Sequence, residues 1–269
     1  MNVTTIISAL LGFACVIASI MFNGKLSSFI DLSSIFIVVG GVVFTIGASY
    51  PMDMLRNLMK SIRIAFKNDQ INLGADIDYI FDIANVARRN GLLALEELTD
   101  EMTDPFLKKG ILLVVDGSDP ELIRSILETE ISVTKERHAN NRAILDSAIA
   151  FSPAFGMLGT LIGLIKMLAN LNEMDTLGSS MSVALVTTFY GVLLANMVFT
   201  PLSKRLKTLG SNEDLHKELV LEGIMAIQNG ENPRVIKEKL HAYLSNAAQQ
   251  QRQTAEINKK VEAENAMNP

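Results

Sequence analysis

Apolar residues collect in four blocks along the chain, and polar segments separate these blocks. They cover roughly Val3–Phe22, Leu32–Tyr50, Ala148–Met167 and Met181–Pro201. A helix needs about 20 residues to cross the hydrocarbon core of a membrane, and each block has about that length. The pattern therefore predicts an all-α, polytopic membrane protein with four transmembrane helices. No Lys or Arg precedes the first block, so we expect it to be a retained span and not a cleaved secretory signal.

The polar segment 51–145 predicts several helices. Its first apolar residues are interleaved with Lys and Arg, as in an amphipathic helix on a membrane surface; they are Met54, Leu55, Leu58, Ile62 and Ile64. A helix over Ile77–Arg89 is expected to end at Gly91, because glycine commonly follows the last helical residue. Leu92–Leu98 predicts a short helix, and Pro105 lies in the first turn of the next one.

A long helix is expected to begin at Pro120, since proline is favoured at the first helical position. No further glycine or proline occurs before the third block, so that block is predicted to be the upper part of the same helix. After the fourth block, Ser211–Asp214 has the pattern of a cap that starts a new helix, and Asn232-Pro233 begins another. Residues 246–269 are rich in Gln, Asn, Glu and Lys and predict a flexible tail.

The distribution of Lys and Arg predicts the topology, because cytoplasmic segments of membrane proteins are enriched in these residues. Of the 24 Lys and Arg, only Lys25 and Lys166 flank the opposite side. Both large polar segments are therefore expected in the cytoplasm, together with both termini. The expected organisation places transmembrane helices in 1–50 and 146–202, a helical cytoplasmic domain in 51–145, cytoplasmic helices in 203–245 and the tail in 246–269.

Composition and charge narrow the chemistry that the chain can perform. The central parts of the four blocks contain no Asp, Glu, Lys, Arg or His, so a conducting complex would need a partner to bring a membrane carboxylate. The net charge of −5 gives no overall attraction to nucleic acid, and Cys15 is the single cysteine. The three histidines match no metal-ligand spacing. Nothing resembles a nucleophile–base pair or a phosphate loop, so we expect neither an enzyme nor a cofactor.

Polar and small residues concentrate in the third and fourth blocks. Gly159 and Gly163 form a GxxxG step, which in membranes usually permits close helix packing. Thr160, Thr187 and Thr188 lie on the same two blocks, as do Pro153 and Pro201. Each threonine taken alone fits a hydroxyl that bonds back to its own helix. Taken together, the residues also fit a polar seam between two helices, and the pattern leaves both interpretations open.

Five segments, in order, resemble the MotA/PomA flagellar stator family, within the larger MotA/TolQ/ExbB group. The resemblance runs over about residues 3–245, and its segments are Asp31–Gly41, Ala87–Glu97, Pro153–Gly163, Val183–Gly191 and Glu222–Arg234. It implies a bacterial inner-membrane protein, with a pentamer of this chain around a dimer of a single-span MotB/PomB-like partner. That partner carries a membrane aspartate and anchors to peptidoglycan. Flow of the transported ion, Na⁺ or H⁺, would rotate the pentamer against a switch-complex protein of the flagellar rotor.

The resemblance also assigns expected roles to individual positions. Arg88 and Glu96 match charged positions that engage the rotor, with Arg89 and Glu97 as neighbours; without the family they fit an ordinary solvated face. Pro153 and Pro201 match prolines linked to conformational change of the channel. The ion path is expected to include Thr160, Thr187 and Thr188. Because hydroxyl and carbonyl oxygens suit a hard cation, and sodium-driven members resemble this threonine set, we expect sodium in preference to the proton.

Two other classes of protein fit parts of the pattern. A TolQ/ExbB-like energising subunit belongs to the same group, but such proteins usually have three spans and a different cytoplasmic domain. A non-conducting membrane scaffold would need the packing glycines without the threonines or prolines. Four blocks and the charged Arg88–Glu97 segment favour the stator subunit.

Overall fold

The computed structural model describes residues 3–66 and 71–244, together with Gln249. Apart from Gln249, the predicted tail lies outside these residues. All regular structure in the described part is helical. The chain divides into two compact units, which we call the first unit (Met1–Asp69 and Glu136–Gly210) and the second unit (Gln70–Lys135 and Ser211–Pro269).

The N-terminal half of the first unit is a run of helices with short breaks. In order they are α1 (Val3–Asn23), a 3-10 turn (Leu26–Phe29), α2 (Leu32–Ile35), a π-helical turn (Phe36–Gly40), α3 (Gly41–Ser49) and α4 (Met52–Ala65). Asp31 begins α2 because its carboxylate accepts hydrogen bonds from the Ser34 backbone N–H (2.7 Å) and hydroxyl (2.5 Å). An acidic residue at the end of this block therefore acts as a helix cap.

Three long helices, two of them joined by a short π-helical turn, lie later in the chain. They are α8 (Pro120–Ala169), α9 (Met174–Leu193), a π-helical turn (Leu194–Phe199) and α10 (Thr200–Gln228). The prediction that the third block continues a helix from Pro120 is confirmed, since α8 runs for 50 residues without interruption. The π-helical turn lies just before Pro201, which has no N–H to donate to the preceding turn, so a locally widened ladder fits there.

Three helices of the described part are long and apolar enough to cross a membrane. They cover Leu26–Ser49, Pro120–Ala169 and Leu177–Gln228. Within α1, Leu10–Phe22 forms a shorter apolar helix. The all-helical fold class is thus confirmed, while a count of four spans stays a prediction.

Helix α4 packs its apolar face inside the first unit. Leu58 is buried against Ile144 and Leu145 of α8, with Met54, Leu55 and Ile62 around them. The last carbonyl of α4, on Ala65, accepts a hydrogen bond of 2.8 Å from Nε of Arg205. The apolar residues of this amphipathic helix therefore pack against other helices of the first unit.

The second unit has its own hydrophobic core. It contains α5 (Leu73–Asn90), a 3-10 turn (Leu92–Ala94), α6 (Leu95–Thr99), α7 (Pro105–Val115) and α11 (Pro233–His241), with the adjoining parts of α8 and α10. Side chains from all of these helices bury each other; the fully buried ones include Ile80, Leu95, Ile111, Leu127, Leu219, Ile224 and Ile236. Asn72, Asp104 and Asn232 cap α5, α7 and α11 with their side-chain oxygens.

The predicted helix start at Ser211–Asp214 is wrong, because α10 continues from Thr200 to Gln228. The glycine before this segment allows a close contact between α10 and α8. A Cβ on Gly210 would lie 3.1 Å from Nδ1 of His138, so the position favours a residue without a side chain. A cap-like pattern did not end the helix because tertiary packing favoured its continuation.

Candidate functional site

Helices α8 and α9 approach each other along a row of glycines. A Cβ on Gly159 would lie 2.4 Å from Cγ2 of Thr187, and one on Gly163 would lie 2.7 Å from the carbonyl oxygen of Ser180. A Cβ on Gly156 would lie 3.1 Å from the Thr187 carbonyl oxygen. The distances at Gly159 and Gly163 are too short for a Cβ without a shift of the neighbouring helix, and the distance at Gly156 is tight. The glycines therefore allow the two backbones to approach closely. We call this contact the seam.

Gly191 completes the seam from the α9 side. A Cβ at this position would lie 2.5 Å from the carbonyl oxygen of Ser152 and 3.2 Å from the Cα atoms of Pro153 and Gly156. Backbone atoms cannot move aside as a side chain can. The contact near Pro153 is therefore as close as two helices allow.

The three predicted threonines meet within the seam. The Thr160 and Thr188 hydroxyls are 2.6 Å apart, close enough for a hydrogen bond. All three hydroxyls also lie within hydrogen-bond distance of one acceptor, the Ala184 carbonyl oxygen, at 3.3 Å from Thr160, 3.0 Å from Thr187 and 3.3 Å from Thr188. The GxxxG step and the polar seam are thus one structure.

The threonines differ in accessibility. Thr187 is fully buried against Gly159, and its hydroxyl also bonds to the Val183 carbonyl oxygen at 2.9 Å. Thr188 is exposed and Thr160 is partly exposed on the surface of this chain. Oxygen atoms of Thr160 and Thr188 can therefore reach an ion or water beside the chain, whereas Thr187 shapes the helix contact.

Sequence analysis missed Ser180 as a member of the seam. This side chain is fully buried, and its hydroxyl has no hydrogen-bond partner in the described part of the chain. It lies beside Gly163, seven and eight residues before Thr187 and Thr188. That spacing equals about two helical turns and could have placed all three residues on one face.

The two predicted prolines lie on helices that a polar contact joins. Pro153 lies inside α8, where the Ser152 hydroxyl donates to the Ala148 carbonyl oxygen at 2.6 Å. Pro201 lies in the first turn of α10, and two residues later the Ser203 hydroxyl donates to Asp146 Oδ1 at 2.7 Å. The structure shows no direct contact between the prolines, but Asp146 and Pro153 share α8 and are two turns apart.

The predicted charged residues lie on a turn in the second unit, which we call the charged turn (Arg88–Glu97). Gly91 ends α5 with a positive φ of 85°, a conformation that glycine adopts without strain. Arg88 and Arg89 occupy the last turn of α5, and Glu96 and Glu97 the first turn of α6. Each pair has the sign that stabilises its helix end.

The four charged side chains on this turn are exposed and form no ion pair within the described residues. Other surface charges of the same unit are paired, for example Lys109 with Glu130 and Lys135 with Glu218, both at 2.7 Å. Unpaired charges of opposite sign on one turn are available to an external partner.

A different polar cluster joins three helices of the second unit. His216 on α10 bonds through Nδ1 to Asp76 on α5 (2.9 Å) and through Nε2 to Asp104, the cap of α7 (3.0 Å). The hydrogen bonds that His216 donates to Asp104 and, with a smaller effect, to Asp76 raise the pKa of His216 to about 9, although burial acts in the opposite direction. Burial alone would raise the pKa of Asp104, but the His216 hydrogen bond and the Phe106 N–H lower it.

We expect His216→Gln to destabilise the second unit by roughly 2 kcal/mol at pH 7, because charged hydrogen bonds contribute about 1.5–3 kcal/mol. The pKa of His216 is raised from 6.5 to about 9 on folding. Its contribution is therefore complete below pH 6.5 and lost as the pH rises through 9. Thermal unfolding of the purified chain, followed by circular dichroism at pH 7 and pH 10, measures the difference. A gap between variant and wild type that stays constant to pH 10 would contradict this assignment.

Comparison with known proteins identifies the family to which this chain belongs. A model of the MotA/TolQ/ExbB proton channel family matches residues 98–219, which include α8, α9 and the seam. The chain belongs to this family. The resemblance noted from the sequence is thereby confirmed, and the protein is a membrane protein.

Individual members of the family are similar to this chain over most of its length. The chain is 38% identical over 246 residues to Motility protein A of Borreliella burgdorferi, covering 91% of this chain and 95% of the relative. It is 38% identical over 245 residues to Chemotaxis protein PomA of Vibrio alginolyticus, covering 91% and 96%. It is also similar to a solved structure of the flagellar MotAB stator complex from Bacillus subtilis, with 29% identity, a TM-score of 0.84 and coverage of 93% and 98%.

Proposed function

We propose that this chain is the MotA-type subunit of a flagellar stator. With a single-span MotB-like partner it forms an ion channel that converts ion-motive force into torque on the flagellar rotor. The observation that carries this proposal is the similarity to Motility protein A over 91% of the chain. The solved complex that the chain resembles contains such a partner by its name, MotAB.

The chemistry of the seam supports a two-component channel. The central parts of the apolar blocks contain no ionisable side chain, and a membrane ion path needs a group that binds or exchanges the ion. The Thr160 and Thr188 hydroxyls offer oxygen ligands at the surface of this chain. A carboxylate brought by the partner beside them would complete the site. The roles of Thr160, Thr187 and Thr188 in the ion path are part of this proposal.

The proposed assembly is a pentamer in the inner membrane with both termini in the cytoplasm. It uses α1, a helix of 21 residues, as the fourth span. Residues 51–145 and 203–245 form the cytoplasmic part, whose charged turn contacts a switch-complex protein of the rotor. Pro153 and Pro201 permit the switch between channel states, so Pro153→Ala should lower torque at normal membrane level.

Ion flux in vesicles tests the proposal. We expect flux through the chain with its partner, and little through the chain alone, because the chain lacks a membrane carboxylate. Removal of the carboxylate from the partner should abolish the flux. A sodium-sensitive dye and a pH-sensitive dye, used in parallel, identify the ion, which we propose is sodium. Substantial flux without the partner would contradict the two-component channel.

A threonine outside the seam provides the matched control for this assay. Thr188→Ala removes a hydroxyl from the seam, whereas Thr45→Ala removes one from α3, outside the seam. The first variant should raise the sodium concentration needed for half-maximal flux, and the second should not. Restoration of swimming in a stator-deleted strain separates the stator function from that of a TolQ/ExbB-like subunit.

A further inference from the structure

A pocket of about 230 Å³ opens beside the charged turn, entirely within the second unit. Its apolar lining comes from the end of α5, the following 3-10 turn and α11, and includes Ala84, Ala87, Leu92 and Ile236. Arg88 of the charged turn also lines it. The pocket and the predicted contact residues are therefore parts of one surface.

Two glycines with positive φ explain why the pocket stays open. Gly91 (φ 85°) ends α5 and Gly230 (φ 68°) follows α10, and both line the pocket. No atom outside the local chain lies within 4 Å of the Cβ position at either glycine. The walls there are backbone without side chains, so nothing of the described chain fills the space.

One polar group of the pocket is unsatisfied. Gln228 donates from Nε2 to the Ser118 carbonyl oxygen at 2.9 Å. Its carboxamide oxygen is buried and accepts no hydrogen bond in the described part of the chain. The Nε2 bond fixes the Gln228 side chain in the pocket wall, and the buried oxygen is not available to an occupant.

The size of the pocket limits what can occupy it. Sites for small molecules and cofactors usually enclose about 300–1,000 Å³, which exceeds the volume found here. One apolar side chain fits better than a metabolite. Protein interfaces commonly bury such an anchor in a pocket surrounded by charged residues. The charged turn supplies such a rim, and Leu93, which is 73% exposed, adds apolar surface beside it.

We propose that this pocket receives an apolar anchor side chain from the switch-complex protein of the rotor. Charge complementarity defines the rest of the contact. The segment that carries the anchor bears an acidic group opposite Arg88 and Arg89 and a basic group opposite Glu96 and Glu97. This inference rests on the proposed stator function and adds an apolar contact to an otherwise electrostatic interface.

Filling the pocket tests the proposal. Ala87→Leu adds a branched side chain to the pocket wall, and Ala139→Leu makes the same change at an exposed position of α8 in the first unit. Each full-length variant is produced with its partner in a stator-deleted strain. We expect Ala87→Leu to reduce co-isolation of the rotor protein by roughly tenfold, as loss of an interface anchor does, and to impair swimming. Ala139→Leu should behave as wild type.

Two further measurements keep the outcomes distinct. Membrane level and co-isolation of the partner show whether Ala87→Leu has folded. If they fall, the smaller change Ala87→Val takes its place. Normal rotor co-isolation and swimming in a well-folded pocket variant would overturn the pocket proposal. If wild type itself restores no swimming, the stator function fails instead. If Arg88→Glu abolishes swimming and the pocket variants do not, the contact is electrostatic alone.

Discussion

Gly191→Ala is expected to disrupt the α8–α9 contact and to abolish ion-driven swimming. The added Cβ would lie 2.5 Å from the Ser152 carbonyl oxygen, a backbone atom that no rotamer change can move. Membrane helices gain little from apolar burial and depend on close packing and hydrogen bonds, so the two helices must separate. Membrane level, stability of the purified complex in detergent and swimming in a stator-deleted strain measure the effect.

A glycine on the same helix provides the control for this change. No atom outside the local chain lies within 4 Å of the Cβ position at Gly178, so Gly178→Ala should leave the α8–α9 contact intact. It should even favour helix by roughly 1 kcal/mol, because glycine is a poor helix former. If both variants lose swimming to the same degree, the close approach at Gly191 is not the cause.

Arg88→Glu is expected to abolish swimming while membrane level and assembly with the partner remain normal. Arg88 is exposed and has no ion pair in the described part of the chain, so its reversal removes no contact that holds the second unit together. The reversal instead places an acidic group opposite the acidic group that we propose on the rotor. Swimming speed and membrane level in the same cells test the two halves of this expectation.

The matched control reverses another exposed arginine of the second unit. Arg124 forms an i,i+4 pair with Glu128 at 3.5 Å, and such surface pairs contribute about 0–1 kcal/mol. Cells that carry Arg124→Glu should therefore swim normally. A reversal of the opposing charge on the rotor protein should restore part of the swimming of Arg88→Glu. Loss of the Arg88→Glu protein from the membrane would show that the residue is structural.

Local signals in the sequence predicted several helix ends. Gly91 and Pro120 mark real boundaries because glycine and proline act on the backbone through their own geometry. The pattern at Ser211 failed because capping by a side chain is a weak effect, whereas α10 continues into the core of the second unit. The sequence left open whether the threonines bond back to their own helices or form a polar seam. Only the three-dimensional structure could show that the glycines and threonines form one contact.

Contacts between distant parts of the chain lay beyond sequence reasoning. His216 bonds to carboxylates 140 and 112 residues away, and no spacing rule connects such positions. The pocket beside Arg88 has the same origin, since its walls come from segments more than 130 residues apart in the numbering. The roles of the charged turn, the prolines and the threonines stay predictions that the experiments above decide.

The Ala184 carbonyl oxygen, which three threonine hydroxyls approach, has a consequence for evolution. Because Thr160, Thr187 and Thr188 share this acceptor, the loss of one hydroxyl leaves two others that can still satisfy the carbonyl. Single replacements of these threonines should therefore be tolerated by the fold. A second replacement removes one of the remaining hydroxyls, so its effect is larger. Mutations that alter ion preference would then be epistatic, so the order in which a lineage acquires them limits which changes remain open to it.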